Sequence, residues 1–395
     1  MGTRPLGPLA LGSQPYLHCD IFGGMPRFLW LAPIFFAVTL QAQRGGPQAP
    51  PRPAYEVHPD RTVTFRLHAP SAAEVKLSGD FVPGAQTMQK GDDGVWAFTS
   101  APLNPAVYSY NFQVDGVKAI DPANPQIKLG ERSSDSLFEV PAASPAPYDL
   151  QPVPHGTVHI AWYESKSLSA PRALYIYTPP GYEHSSTRYP VLYLLHGSGD
   201  TENGWVTVGR ANLILDNLIA AGKAKAMLVV MPYGRALPDV YVGPLSSGPN
   251  PPSTAFGADL LEDVIPYVEK NYRVSAKADD RALAGLSMGG GQTLQIGLSH
   301  LDRFHSIGAF SAGIRNQNPE EAYKDVFSDP AAANKKLKVF YIACGRADSL
   351  FAASQALSDA LAKADVRHTF SPSEEGHVWR NWRNYLADFA PLLFR

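Results

Sequence analysis

Cysteine is nearly missing from this chain: 395 residues carry two, Cys19 and Cys344. A small disulfide-stapled scaffold is thereby excluded. Charge is thin as well. Only 18% of residues are charged, 34 basic stand against 36 acidic, and no long basic run occurs. Such a chain lacks the electrostatic footprint that nucleic-acid binding needs. The apolar run near the N-terminus, Phe28–Leu40, has 13 residues, short of the roughly 20 that cross a membrane as a helix. The histidines and carboxylates show none of the close ligand spacings of metal sites, so no metal is expected. What is plentiful is apolar residue, 45% of the chain, together with 36 prolines and 33 glycines. That composition supports real cores joined by many turns, and the length suits two or three domains.

Met25-Pro26-Arg27, the uncharged run that follows it and the small Ala42 read as a secretory signal, with Arg27 as its positive flank. The alternatives for that run are an uncleaved anchor or a buried helix of the fold. Residues 1–24 form no recognisable element, so translation is expected to start at Met25. The expected location is secreted or periplasmic. With residues 1–43 removed as leader, only Cys344 remains, and no intrachain disulfide can form. No cysteine follows Ala42 directly, which argues against lipid anchoring there, and no stable membrane anchor is expected. Cys344 ends the apolar run VFYIAC and reads as a buried hydrophobe.

Residues 44–54 read as a linker. From 55 to 141 short alternating runs, among them TVTFRLHAP, AEVKLSG, GVWAFTSAP, VYSYNFQVDG and SLFEV, are closed by Gly, Pro, Asp or Asn. Period-two alternation at this spacing predicts a small all-β, immunoglobulin-like sandwich. The stretch from LSGDFVPG to AIDPANP resembles the glycogen-binding modules of amylolytic enzymes and of the kinase that senses AMP. Those modules carry an exposed tryptophan after the SG-F segment, where this chain has Phe81-Val82-Pro83-Gly84. Trp96 alternates with Phe98 on one strand face and reads as core. A structural or substrate-shaping partner domain is therefore the preferred reading, with carbohydrate binding by the sandwich as the weaker alternative. A second linker follows at 142–154.

Residues 155–395 alternate strand and helix. ALYIYTPP, YPVLYLLHG, AMLVVMPYG, DDRALAGLS, FHSIGAFS and KVFYIACG are apolar runs, and ADLLEDVIPYVEKNY and SLFAASQALSDALAKA read as helices. This predicts an α/β fold with a mostly parallel sheet, whose sites form at the carboxyl ends of strands. Gly285-Leu286-Ser287-Met288-Gly289 is G-x-S-x-G between a strand and a helix, the context in which a tight turn thrusts a nucleophilic serine above the sheet. On an α/β-hydrolase domain the acid and then the base follow the serine in chain order. Asp348 stands in the loop after KVFYIACG. Of the two later histidines, His368 lies in a strand-like segment, whereas His377 lies in the loop Glu374-Glu375-Gly376-His377 before a final helix. His377 is the better base. Asp302, Asp325, Asp329, Asp359 and Asp365 are weaker acids by position. The oxyanion donors are expected at the amides of Met288 and of Ser198, in the loop His196-Gly197-Ser198-Gly199-Asp200. His196 reads as a structural hydrogen-bonding residue.

YLLHGSGDTENGW, LLEDVIPYVEKNY, AGLSMGG, CGRAD and GHVWRNW together resemble the esterase family that includes feruloyl and acetyl-xylan esterases, enterochelin esterases and mycolyltransferases. The resemblance implies the same five residues: Ser287 as nucleophile, Asp348 as acid, His377 as base, Ser198 and Met288 as amide donors. It implies no cofactor. A β-sandwich ahead of such a domain resembles feruloyl esterases of plant-polysaccharide degradation, so the expected substrate is an ester on acylated plant polysaccharide or oligosaccharide. Acetyl-xylan or siderophore ester hydrolysis and acyl transfer are the alternatives within enzymes, and a silent carbohydrate-binding protein is the alternative outside them. The Gly/Pro-rich connection at 231–256 has room for an acyl or sugar pocket. Trp205, Tyr233, Trp379 and Trp382 either stack on an aromatic acyl group or serve as packing.

Overall fold

Chain segments that are apolar at every position form strands only when both faces are covered, and these segments build the centre of the larger domain. The computed structural model describes residues 53–131, 133–236, 253–314 and 318–395. The expected leader with Cys19, and most of the 231–256 connection, lie outside them. Eight strands make one sheet: Thr157–Ser165 (β1), Ala170–Thr178 (β2), Val191–Leu195 (β3), Leu228–Pro232 (β4), Arg281–Leu286 (β5), Ser306–Phe310 (β6), Val339–Gly345 (β7) and Thr369–Ser373 (β8). Their order is β1-β2-β4-β3-β5-β6-β7-β8. Strands β1, β2 and β4 pair antiparallel, and every pairing from β4 to β8 is parallel. Strands β3 to β6 are buried along their whole length.

The sheet divides two apolar cores by the period of the strand. Val191, Tyr193 and Leu195 of β3 face a core with Phe256, Leu260, Val268 and Leu294. Leu192 and Leu194 face the opposite core, with Ile214 and Leu215 of the helix Ala211–Ala220 (α1) and Trp382, Leu386 and Phe389. Helices Met288–Ser299 (α2), Phe351–Lys363 (α3) and Trp379–Phe389 (α4) complete the layers. The helix expected over 258–272 is broken in kind: Ser253–Ala258 and Ile265–Asn271 are α-helical, and Asp259–Val264 between them is a π-helix. Asp259 there lies fully buried, bonded by the Tyr163 hydroxyl at 2.8 Å and paired with the equally buried Arg172 at 3.5 Å. Cys344, at the end of β7, is a buried free thiol whose pKa burial pushes up to about 11, so it stays protonated at neutral pH.

The N-terminal strands form two antiparallel sheets. One orders Tyr55–Val57, Val63–His68, Val95–Thr99 and Gln89–Lys90; the other orders Gln86–Thr87, Val75–Gly79, Ala106–Val114, Asp135–Val140 and Ile127–Lys128, with Val117–Ala119 on Ala106–Val114. Between them Phe65 meets Tyr110 at 4.8 Å and Phe138 at 5.0 Å between ring centroids. Trp96 is buried in this core and donates its indole N–H to Ala69 O at 2.9 Å. Phe81 stacks on Phe65 at 5.5 Å, so it belongs to the core rather than to an exposed platform.

Helix α4 fastens the sandwich to the larger sheet. Arg383 is fully buried and donates to Val107 O of the sandwich at 2.7 Å and to Val208 O at 2.9 Å. Burial lowers its pKa to about 10, which still leaves the guanidinium charged at neutral pH. Arg383→Met keeps the stem but removes both bonds. Leaving buried carbonyls unpaired costs about 1–3 kcal/mol each. Calorimetry is expected to show a fall in the unfolding midpoint of roughly 5 °C or more.

Candidate active site

The site begins with a strained serine. Ser287 sits between β5 and α2 with φ 52 and ψ −114, a backbone conformation outside the regions open to most side chains. It is held there from three sides. Its N–H donates to Phe310 O at 2.9 Å, and its carbonyl accepts from Gly313 N at 2.7 Å and Gly291 N at 3.0 Å. The flanking glycines are steric requirements of this turn. A Cβ on Gly285 would lie 2.5 Å from Gly289 O, and one on Gly289 would lie 2.5 Å from His196 O. Only bare backbone lets α2 pass this close to the end of β3.

Asp348 and His377 reach the serine from neighbouring strand ends. Asp348 stands three residues after β7, its side chain fully enclosed. Burial alone would raise its pKa, but hydrogen bonds from His377, the Leu350 amide and the Ser311 hydroxyl outweigh it and hold the carboxyl below its usual range. His377 Nδ1 lies 2.8 Å from Asp348 Oδ2, and Nε2 lies 2.9 Å from Ser287 Oγ. A carboxylate only accepts, so Nδ1 carries the hydrogen and Nε2 is left to accept the serine proton. The imidazole is also packed edge-on against Trp382 at 4.9 Å, which limits its rotation. Trp382 in turn donates to Ser311 Oγ at 3.1 Å, and the Ser311 hydroxyl serves Asp348. Ser311 had no signature in the sequence beyond its place after an apolar strand.

The alternative base is occupied elsewhere. His368 stands just before β8 with Nε2 2.8 Å from Ser358 Oγ and Nδ1 2.9 Å from Val366 O. The loop that carries His377 depends on Gly345, where a Cβ would overlap Glu375 O at 1.6 Å. Gly345→Ala must push that loop, and His377 with it, away from Ser287. A displacement of about 1 Å in a reacting group can cost 100-fold. Ester hydrolysis by this variant is expected to fall at least that far, with a lowered thermal midpoint measured alongside.

The loop after β3 closes the other side of the serine. A Cβ on Gly197 would lie 3.3 Å from Ser287 Cβ, so this backbone runs directly beside Ser287. Met288 opens α2, and a first-turn N–H has no intrahelical acceptor. Ser198 is exposed at the mouth. His196 is buried: Nδ1 bonds Gly197 O at 2.8 Å and Nε2 accepts from Gly234 N at 2.9 Å. Burial lowers its pKa to about 4, so it stays neutral and ties the loop to the segment after β4.

The aromatic side chains proposed to stack on substrate are differently employed. Trp205 is fully buried, donates to Leu195 O at 3.0 Å and meets Trp379 edge-on at 5.1 Å. Tyr233 is equally buried, lies parallel to His196 at 5.5 Å and bonds Glu131 at 3.1 Å. Neither offers a ring face, and the stacking expectation is corrected for both: they are walls of the site. Trp379 is enclosed between Trp205 and Trp382 and packs in the same way. Among the described residues no group of three or more His, Cys, Asp or Glu is placed to hold a metal ion.

A strained serine, an oriented imidazole, a buried carboxylate and a glycine-rich loop beside them are the parts of nucleophilic acyl transfer. The family model described as "Putative esterase" matches residues 165–393. The chain belongs to that family. Over 339 residues it is 32% identical to an endo-1,4-beta-xylanase/feruloyl esterase of Xylanibacter ruminicola, covering 84% of this chain and 44% of that protein. The chain thus spans about half or less of the length of the first curated relatives it matches. A solved ferulic acid esterase superposes with TM-score 0.53 at 29% identity, over 60% of this chain and 97% of that one. The enterobactin esterase of Shigella flexneri superposes with TM-score 0.62 at 20% identity, over 84% of this chain and 92% of that one. The last likeness is one of fold.

Proposed function

We propose that this protein is a secreted serine esterase that hydrolyses carboxylic esters through an acyl-enzyme, with feruloyl and related hydroxycinnamoyl esters of plant cell-wall polysaccharide as its substrates. The observation that carries the chemistry is the unbroken hydrogen-bonded line from Ser287 Oγ through His377 to Asp348. His377 takes the serine proton as Oγ attacks the ester carbonyl. The amides of Ser198 and Met288 hold the oxyanion, and Asp348 stabilises the imidazolium. The alcohol leaves with the proton from His377, which then activates water to release the acid.

Two findings support the substrate class. The relative that bears the feruloyl esterase name is similar over 84% of the chain, more than the esterase domain alone. The ferulic acid esterase structure is matched over nearly its whole length. Export rests on the run Phe28–Leu40 and the small residue Ala42.

Incubating the mature protein with methyl ferulate, with Ser287→Ala as control, tests the reading. Loss of the ester absorbance that disappears in the variant is the expected result. Cleavage of p-nitrophenyl acetate without any turnover of methyl ferulate would move the substrate to acetylated glycans or siderophores. Faster product formation in the presence of an added sugar alcohol would instead mark an acyltransferase.

A further inference from the structure

The sandwich reaches the loop that carries Ser198, and it does so with charge. Between the strands Ile127–Lys128 and Asp135–Val140, the chain at 128–131 lies along the loop that carries Ser198. Lys128 Nζ pairs with Asp200 Oδ1 at 2.8 Å, at the end of that loop. Glu131 N donates to Gly199 O at 3.0 Å. The approach is close enough that a Cβ on Gly130 would lie 2.8 Å from Gly199 O. The Glu131 carboxylate, itself buried, accepts from the Tyr233 hydroxyl at 3.1 Å and pairs with Arg235 Nε at 2.6 Å. The other end of the Arg235 guanidinium donates to Ser198 Oγ at 2.8 Å.

Those contacts meet a segment already fixed on its inner side. Tyr233-Gly234-Arg235 is bonded by Arg172 at the carbonyls of Tyr233 and Arg235, by Gln292 at Gly234 O, and by His196 at Gly234 N. The exposed turn Ser198-Gly199 is bonded from its own domain by Arg235 at Ser198 Oγ and from the sandwich by the Glu131 amide at Gly199 O. Its outer side is held by the sandwich.

We infer that Glu131 is a positioning residue of the esterase: through Arg235 and Ser198 Oγ, and through its own amide on Gly199 O, it fixes the Ser198 main chain where the transition-state oxyanion forms. An oxyanion donor works because it is already aimed before charge develops, and a loop held on one side only would have to reorganise during the reaction. The β-sandwich is on this account part of the catalytic apparatus. The inference rests on the esterase reading above.

Glu131→Gln in the full chain tests it. Glutamine still offers an oxygen to Tyr233 but cannot hold Arg235 by charge. Loss of a whole oxyanion donor costs about 10²–10³ in rate, and a loosened one is expected to cost about 10–100-fold in kcat with KM for methyl ferulate within about twofold. A trifluoromethyl ketone analogue, which forms the tetrahedral adduct, should lose affinity by the same factor as kcat, while inhibition by free ferulate is unchanged. A role in folding alone would not produce that split. Ser198→Ala, an exposed change that keeps the amide, should lower kcat several-fold in the same pattern, and the two effects should be less than multiplicative in the double variant. If Glu131→Gln fails to fold, Ser198→Ala decides by itself. Unchanged kcat, a rise in KM instead, or full affinity for the ketone would overturn the inference while wild-type turnover still upholds the esterase. A wild-type protein that cleaves no ester would end both.

Discussion

Ser287→Ala is expected to lower kcat for ester hydrolysis by about 10⁵-fold or more, with KM for methyl ferulate nearly unchanged. The size follows from what alanine removes. Oγ is the atom to which His377 is hydrogen-bonded at 2.9 Å, and alanine puts no hydroxyl in its place. The strain itself, φ 52 and ψ −114, is imposed by the bonds from Gly291 and Gly313 and by the packing of Gly285 on Gly289, so it survives the substitution. The variant should therefore fold and bind ester while leaving it uncleaved. Residual rate above the uncatalysed reaction would measure the oxyanion loop acting alone. Progress curves at high enzyme concentration, with circular dichroism to confirm folding, make this measurement.

Asp348→Asn is expected to cost about 10⁴-fold in kcat. Asparagine fills the same space, so the enclosed pocket at the end of β7 stays packed. Its amide can present an N–H to His377 Nδ1, and the hydrogen on the imidazole then moves to Nε2, the nitrogen that must accept from Ser287. Even the opposite amide orientation would leave the imidazolium without a neighbouring negative charge. Ser311 and the Leu350 amide, which hold the native carboxylate ionised against its burial, would no longer face a charge. Stopped-flow assay of the variant, with ferulate binding measured separately, should show the loss in kcat and little change in affinity.

How far the sequence spoke for the structure varied with what each residue packs against. Six of the eight strands were legible as apolar runs because both of their faces are covered. Thr157–Ser165 was not, since as an edge strand it alternates and leaves Ile160 and Trp162 exposed. The serine was legible because a tight turn imposes glycines within a few residues of it, and Asp348 and His377 because they follow strand ends in a fixed chain order. The aromatics misled for a physical reason: a tryptophan beside a cleft and a tryptophan inside its wall have the same neighbours in sequence. Trp205 and Tyr233 proved to be walls. The sandwich loop was the least visible part, because Glu131 meets Arg235 and Lys128 meets Asp200 across long stretches of chain. A contact of that kind leaves no local period or motif, and a single acidic residue in a turn reads as a solvated one.

Covalent labelling shows whether one serine, Ser287, carries the acyl group. The protein would be treated with a p-nitrophenyl alkylphosphonate ester, which phosphonylates an activated serine with release of one p-nitrophenol, and then digested for peptide mass spectrometry. One label per chain is expected, on the peptide containing Ser287, with ester hydrolysis lost in proportion to labelling and no label taken up by Ser287→Ala. Activity that persists when Ser287 is fully labelled, or inactivation that follows labelling of a different residue, would contradict that role for Ser287.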